Sequence, residues 1–239
     1  MRPTKRPIVA IIDYGLGNLF SIQKACEHVG LPAIITSDEE QIIDADCVIL
    51  PGVGAFGDAM DALIRLNLVA PIREFAASDK PVLGICLGLQ LLFSRSHEFG
   101  THRGLDIIQG EVVRLPNCQH SQSALKVPHV GWNRMYLPDK RQFAKADMRC
   151  PELWHHTLLE GIENGAFMYF VHSYVVVPQN SSQTLTETEY GETQFCSGVR
   201  KGNIYGFQFH PERSGPTGLM IYKNLYLLIK KVTGEITNV

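Results

Sequence analysis

The chain has 239 residues, 45% of them apolar and 19% charged, a balance that suits one large globular domain and excludes a disordered or fibrous chain. A formal net charge of -2, with acidic and basic residues mixed along the sequence, removes the electrostatic case for nucleic acid or an anionic membrane as partner. Small molecules or other proteins are the expected partners.

The basic N-terminus runs into too short an apolar stretch before Asp13 for a signal peptide. Pro7 to Ile12 reads as a buried strand. After the turn Asp13-Tyr-Gly-Leu-Gly17, Leu19, Ile22, Cys26 and Val29 recur at helical spacing, and Gly30 is placed to stop that helix. Ala33 to Ile35 is the next strand. Ser37 with Glu40 three residues on forms a capping box for a short helix. Cys47 to Leu50 is a further apolar strand, ending in Pro51-Gly-Val-Gly54. Ala59 to Ala77 reads as one helix, with Pro71 marking a break. Pro81 to Ile85 is a strand that runs straight into Cys86, followed by a helical stretch from Leu87 to Phe93. Strands alternating with helices predict βαβ units around a parallel sheet.

The second half is rich in strands: Glu111 to Leu115, Phe167 to Val177, Thr184 to Tyr190, Phe195 to Arg200 and Ile204 to Phe209. A last helix is predicted over Leu219 to Lys231. Pro116 to Ala124 and Pro138 to His156 are polar and irregular and read as surface loops. Neither is biased enough to be a linker, so a single domain over 1–239 is expected. No segment approaches the length of a membrane span. Six scattered cysteines, Cys26, Cys47, Cys86, Cys118, Cys150 and Cys196, include no Cys-x-x-Cys pair. A cytoplasmic, reducing location is expected, in which a catalytic thiol would survive.

Gly84-Ile-Cys86-Leu-Gly88 places a cysteine between two glycines at a strand-to-helix turn. Such a turn forces a nucleophile into a strained, exposed position, and the helix N-terminus there favours the thiolate. Alone, the motif fits a buried cysteine closing a strand equally well. Gly206-Phe-Gln-Phe-His210-Pro-Glu212 supplies a histidine as general base and a carboxylate to hold its tautomer. Both Cys86 and His210 emerge from strand ends, and the carboxyl ends of a parallel sheet form one edge. A lone His-Pro-Glu is more often a surface turn. Pro51-Gly-Val-Gly54 offers backbone N–H groups suited to an oxyanion hole, although on its own it is an ordinary turn into a helix. His129, Trp132, His155, His156 and His172 invite a metal assignment. None has a second ligand at metal-site spacing, so packing is the expected role, with no metal and no cofactor.

Together, Gly-Ile-Cys-Leu-Gly-Leu-Gln90, Pro-Gly-Val-Gly54 and His-Pro-Glu212 resemble the class I, triad-type glutamine amidotransferases. Within that class Ile12-Asp-Tyr-Gly-Leu-Gly-Asn-Leu19, His129-Val-Gly-Trp-Asn133 and Tyr169-Phe-Val-His-Ser-Tyr174 are similar to the glutaminase subunits of imidazole glycerol phosphate synthases, from histidine biosynthesis. The resemblance covers nearly the whole chain. It implies a flavodoxin-like α/β fold, with a central, mainly parallel sheet, flanking helices and a strand-rich C-terminal half.

The resemblance further implies that Cys86 attacks the side-chain amide of L-glutamine, that His210 shuttles the proton and that Glu212 orients His210. An acyl-thioester and ammonia result. The N–H groups of Leu87 and Val53 would form the oxyanion hole, the latter after a peptide flip that Gly52 permits. Gln90, Glu98, Ser173 and Tyr174 match positions that hold glutamine. A (β/α)8-barrel synthase would sit over the glutaminase site as a heterodimeric partner and receive the ammonia. Asn18, Tyr169 and Arg213 match positions near that partner, Arg213 standing where the family usually carries lysine. The polar insertion around Pro138 to His156 and the ending His-Pro-Glu-Arg-Ser-Gly215 look more like glutaminases of a sugar-amidinating pair in surface-polysaccharide biosynthesis. A non-catalytic binding subunit is the alternative of another class, opposed by the intact Cys86, His210 and Glu212. A general cysteine peptidase would leave Gln90 and Glu98 unexplained.

Overall fold

A computed structural model describes residues 7–116, 126–138 and 154–235. In chain order its elements are β1 (Val9–Ile12), α1 (Leu19–His28), β2 (Ala33–Thr36), α2 (Glu39–Asp44), β3 (Cys47–Leu50), α3 (Phe56–Arg65), α4 (Val69–Ala76), β4 (Val82–Ile85) and α5 (Leu87–Leu91). There follow β5 (Phe93–Ser96), β6 (His102–Arg103), β7 (Ile108–Arg114), β8 (His129–Arg134), β9 (Phe167–His172), β10 (Tyr174–Pro178), β11 (Thr184–Tyr190), β12 (Thr193–Lys201), β13 (Ile204–Phe207) and α6 (Gly215–Val232).

The main sheet runs β2-β1-β3-β4-β13-β12-β10-β7-β5-β6, with β11 paired to β12. Its first five strands are parallel, in the doubly wound order of flavodoxin-like folds. Beyond β13 the pairing of β12, β10 and β7 is antiparallel. β8 and β9 form a separate antiparallel ribbon. Every residue of β1, β3, β4 and β13 is buried, as strands covered on both faces require. Their side chains alternate between two apolar clusters. Val9, Ile11, Ile49 and Leu83 pack with Ile22 of α1 and Leu225 of α6, while Ala10, Ile12, Val48 and Leu50 pack with Ile42, Leu63, Ile72 and Leu89 of α2 to α5. The result is a helix–sheet–helix stack whose strand ends at β3, β4 and β13 lie side by side. Among the described residues no helix is long and apolar enough to cross a membrane.

Several boundaries differ from the sequence expectations. The cap of α2 is Asp38, not Ser37: its carboxylate accepts from Gln41 N at 2.9 Å, an ionised acceptor at the helix start. The helix expected over Ala59 to Ala77 is two helices. The break falls at Asn67, with φ of 57°, where Leu68 N bonds back to Leu63 O at 2.9 Å. Pro71 lies in the first turn of α4, where a missing N–H costs nothing. The helix after Cys86 ends at Leu91, and Phe93 already belongs to β5; β5 and β6 had no separate sequence signal. The apolar run Phe167 to Val177 is two strands, because the chain changes sheets at Ser173. The last helix starts at Gly215 rather than Leu219, with proline at its start. Residues 117–124 and 139–153 of the two expected loops lie outside the described residues. Trp154, at the end of the second, is buried, its Nε1 donating to Leu185 O at 3.2 Å, so the loop reading fails there.

Candidate active site

Cys86 stands at the junction of β4 and α5 with φ 54° and ψ -109°, a conformation that ordinary L-residues avoid unless their surroundings impose it. The imposition is visible. Cys86 N donates to Phe207 O of β13 at 2.8 Å, and Gln90 N returns to Cys86 O at 3.3 Å. The flanking glycines let the elbow close: a Cβ on Gly88 would lie 1.8 Å from Leu50 O, and one on Gly84 would lie 2.8 Å from Gly88 O.

His210 reaches the same edge from the extension of β13, its N–H bonded to Tyr169 O at 2.9 Å. Pro211 opens a 3-10 turn over Pro211–Arg213 that folds Glu212 back on the ring. Nδ1 of His210 lies 2.9 Å from Oε1 of Glu212, and the two side chains are only 5% and 1% exposed. A carboxylate at Nδ1 holds the proton there and leaves Nε2 as the working nitrogen. Nε2 is buried and makes no hydrogen bond to a described residue. Burial alone would pull the imidazole down, but the Cys86 thiol and the Glu212 carboxylate outweigh it and hold His210 up at about 10. The sulfur is thus close enough to Nε2 to act on the ring, although the contact falls short of full hydrogen-bond geometry. A value held there keeps the shared proton on the ring beside the sulfur, the pairing that readies a cysteine for attack.

Cys86 opens on a cavity of about 250 Å³ whose walls include Val53, Leu87, Gln90, Glu98, Ser173 and Tyr174, an amino-acid-sized space. All six are site residues expected from sequence. Gly52, expected beside Val53, does not line the cavity. It is packed instead, and a Cβ there would meet Tyr14 Oη at 2.4 Å. Tyr14 in turn donates to Pro51 O at 2.6 Å. Glu98 is buried, and its Oε2 accepts from Phe56 N at 2.6 Å, capping α3 where Ala55 cannot. Gln90 donates to Tyr174 O at 3.2 Å and to Gln208 Oε1 at 3.1 Å. A larger groove of about 780 Å³, lined by Arg95 and Arg103 among others, shares no residue with the Cys86 cavity.

Asn18, Tyr169 and Arg213 are outside that cavity. Asn18 caps α1, accepting from Ser21 N at 3.4 Å. The Arg213 guanidinium lies 4.2 Å from the centre of the Tyr169 ring, which meets Trp132 edge-on at 5.9 Å. Sequence reasoning missed Gln208, fully buried with Nε2 3.6 Å from Cys86 Sγ. The signal was an amide two residues before His210 in an otherwise apolar run. His172, expected only to pack, is a cavity wall, and no regular spacing announces it.

The model of the family described as glutamine amidotransferase class-I matches residues 10–228. The chain belongs to the class I glutamine amidotransferases. It is 46% identical over 224 residues to the imidazole glycerol phosphate synthase subunit HisH of Aquifex aeolicus, covering 93% of this chain and 98% of that protein. The corresponding subunit of Methanosarcina acetivorans is 51% identical over 217 residues, with coverage of 90% and 96%. Among solved structures, a putative GMP synthase protein of Thermoplasma acidophilum superposes with a TM-score of 0.67 over 98% of each chain at 15% identity. PurLQS from Thermotoga maritima gives 0.64 at 16% identity, covering 96% of this chain and 100% of that one. These two share the fold. In this amidotransferase the Cys86 elbow and the carboxylate of Glu98 line one cavity, and the His210–Glu212 pair is buried outside its wall.

Proposed function

We propose that the chain is the glutaminase subunit of an imidazole glycerol phosphate synthase in histidine biosynthesis. It would hydrolyse L-glutamine to glutamate and ammonia and pass the ammonia to a (β/α)8-barrel cyclase subunit in a heterodimer. The observation that carries this reading is Cys86 beside the His210–Glu212 pair, opening on a cavity that also contains Glu98. Identities of 46% and 51% to HisH subunits support the pathway.

The geometry suggests the steps. Glu98 holds the substrate ammonium, a charge-assisted contact in a confined space. The proton shared between Cys86 and His210 rests on Nε2 as Sγ attacks the side-chain amide carbon of glutamine. The N–H groups of Leu87 and Val53 receive the developing oxyanion. His210 then returns the proton to the amide nitrogen, the C–N bond breaks, and ammonia leaves a γ-glutamyl thioester. Water, deprotonated by the same nitrogen, cleaves the thioester to glutamate and restores the thiol. Glu212 holds Nδ1–H throughout. The exposed Val130, Trp132 and Phe167 of the β8–β9 ribbon, with Tyr169, Arg213 and Asn18, are the surface offered to the partner. An active site completed only on partner docking would spare glutamine when no acceptor is bound.

Ammonia and glutamate release should be measured with the chain alone and with a histidine-pathway cyclase and its nucleotide ligand, Cys86→Ala serving as control. Stimulation abolished by Cys86→Ala is expected. Absent stimulation, with Cys86 still labelled by a glutamine-mimicking diazoketone, would move the assignment to another synthase, first the sugar-amidinating pair. No labelling at all would make this a non-catalytic subunit.

A further inference from the structure

A line of side chains runs from the β8–β9 ribbon to the nucleophile. Asn133 Nδ2 lies 3.3 Å from His129 Nε2, and His129 Nδ1 lies 3.0 Å from His172 Nε2. His172 Nδ1 lies 3.0 Å from Tyr174 O. The same carbonyl accepts from Gln90 Nε2 at 3.2 Å, Gln90 also donates to Gln208 Oε1 at 3.1 Å, and Gln208 Nε2 points at Cys86 Sγ, 3.6 Å away.

We propose that this line is a positioning network for the glutaminase reaction, in which Asn133, His129, His172 and Gln208 fix the direction of the Cys86 sulfur. The proposal rests on the glutaminase reading and deepens it.

The argument starts from one group that can only accept, the carbonyl of Tyr174. It requires His172 to carry its proton on Nδ1 and requires Gln90 to present Nε2 rather than Oε1. On one side, His172 Nε2 is then an acceptor, so His129 donates from Nδ1 and is itself the acceptor of the Asn133 amide at Nε2. On the other side, Gln208 must turn Oε1 to Gln90 and so presents N–H to the sulfur. Reversing any member leaves two donors or two acceptors face to face in a buried space, where an unmade bond is costly. Asn133 is held at the outer end by Glu189 O at 2.7 Å. The His129 ring is clamped between Phe170 and Tyr190, with centroids at 5.0 Å and 4.1 Å. The scheme needs both imidazoles neutral. Burial pushes His129 down to about 4 and His172 to about 3, the latter helped by His129. An N–H aimed at sulfur holds the side chain in one rotamer and stabilises the negative charge that the attacking thiolate carries.

The test uses the full chain. With ¹⁵N-labelled histidine, long-range proton–nitrogen correlation at neutral pH should show both His129 and His172 neutral with the proton on Nδ1. An Nε2–H tautomer on either ring overturns the proposal. Alkylation of Cys86 by iodoacetamide, followed by peptide mass spectrometry, reads the sulfur directly. Gln208→Leu and His172→Leu should each slow it about tenfold, as loss of one buried hydrogen bond implies. If the line acts as a unit, the double variant should be no slower than about tenfold. His172→Asn, whose amide can replace Nδ1–H towards Tyr174 O, should restore most of the rate. Losses that multiply, unchanged rates, or an Asn variant no better than Leu overturn the network. Should a Leu variant fail to fold, the tautomers and the Asn variant still decide. Iodoacetamide needs no glutamine, so these results stand apart from the glutaminase reading, which depends on whether glutamine protects Cys86.

Discussion

His210 Nδ1 and Glu212 Oε1 are 2.9 Å apart in a site closed to solvent, and this contact assigns the ring nitrogen that faces Cys86. Glu212→Gln keeps the size of the side chain but can present an N–H to Nδ1, allowing the proton to sit on Nε2. General-base function is then lost for much of the population, and kcat for glutamate release should fall about 100-fold with KM little changed. Steady-state assays with the cyclase partner present check the split. An unchanged kcat would remove Glu212 from the triad.

The same contacts make stability depend on pH. His210 sits at about 10 when folded, above its ordinary value of 6.5, so the folded state binds more protons than the unfolded chain between these limits. Its stabilising contribution is fully present below about pH 6.5 and is lost as pH rises towards 10. Because Cys86 is a leading cause of the upward pull, Cys86→Ala should flatten this alkaline loss. Urea unfolding of both proteins between these two pH values measures it, and parallel curves would rule out the thiol as the cause.

The parallel half of the fold was legible because β1, β3, β4 and β13 are buried on both faces and read as plain apolar runs. The elbow at Cys86 and the His210–Glu212 contact were legible because a strained turn needs glycines and because the two partners of that contact are close in sequence. What failed has a common cause in long-range pairing. Ser173 looks like the middle of one strand, and only the partners of β9 and β10 reveal the change of sheet. The ends of α3 and α4 depended on a left-handed Asn67, which no periodicity specifies. Gln208 meets Gln90, and His129 meets His172, from segments far apart in the chain, so their hydrogen bonds have no local spacing to betray them.

Gly88 is the tightest point of the elbow. A Cβ would lie 1.8 Å from Leu50 O and 2.7 Å from Leu50 C, both backbone atoms that cannot swing aside. Gly88→Ala should therefore push α5 off the end of β3, costing about 3 kcal/mol or more in unfolding free energy. Gly202→Ala, at an open position with φ of 60°, carries only backbone strain and should cost about 1 kcal/mol. Denaturant midpoints for the pair test whether contact or conformation dominates at the elbow.

Glu98 has two duties that substitution can separate. Its Oε2 caps α3 through Phe56 N, and its carboxylate stands in the wall of the Cys86 cavity, where the proposed reaction places the substrate ammonium. Glu98→Gln keeps an oxygen for the cap and removes only the charge. The melting temperature should hold within a few degrees, while KM for glutamine rises about 10- to 100-fold, the worth of one charge-assisted bond. Glu98→Ala loses the cap as well and should cost about a further 1 kcal/mol of stability. Calorimetry and steady-state kinetics on the two variants give four numbers, and only the two-duty assignment places the kinetic loss in both variants and the stability loss in one. An unchanged KM in Glu98→Gln would make the carboxylate a structural cap alone.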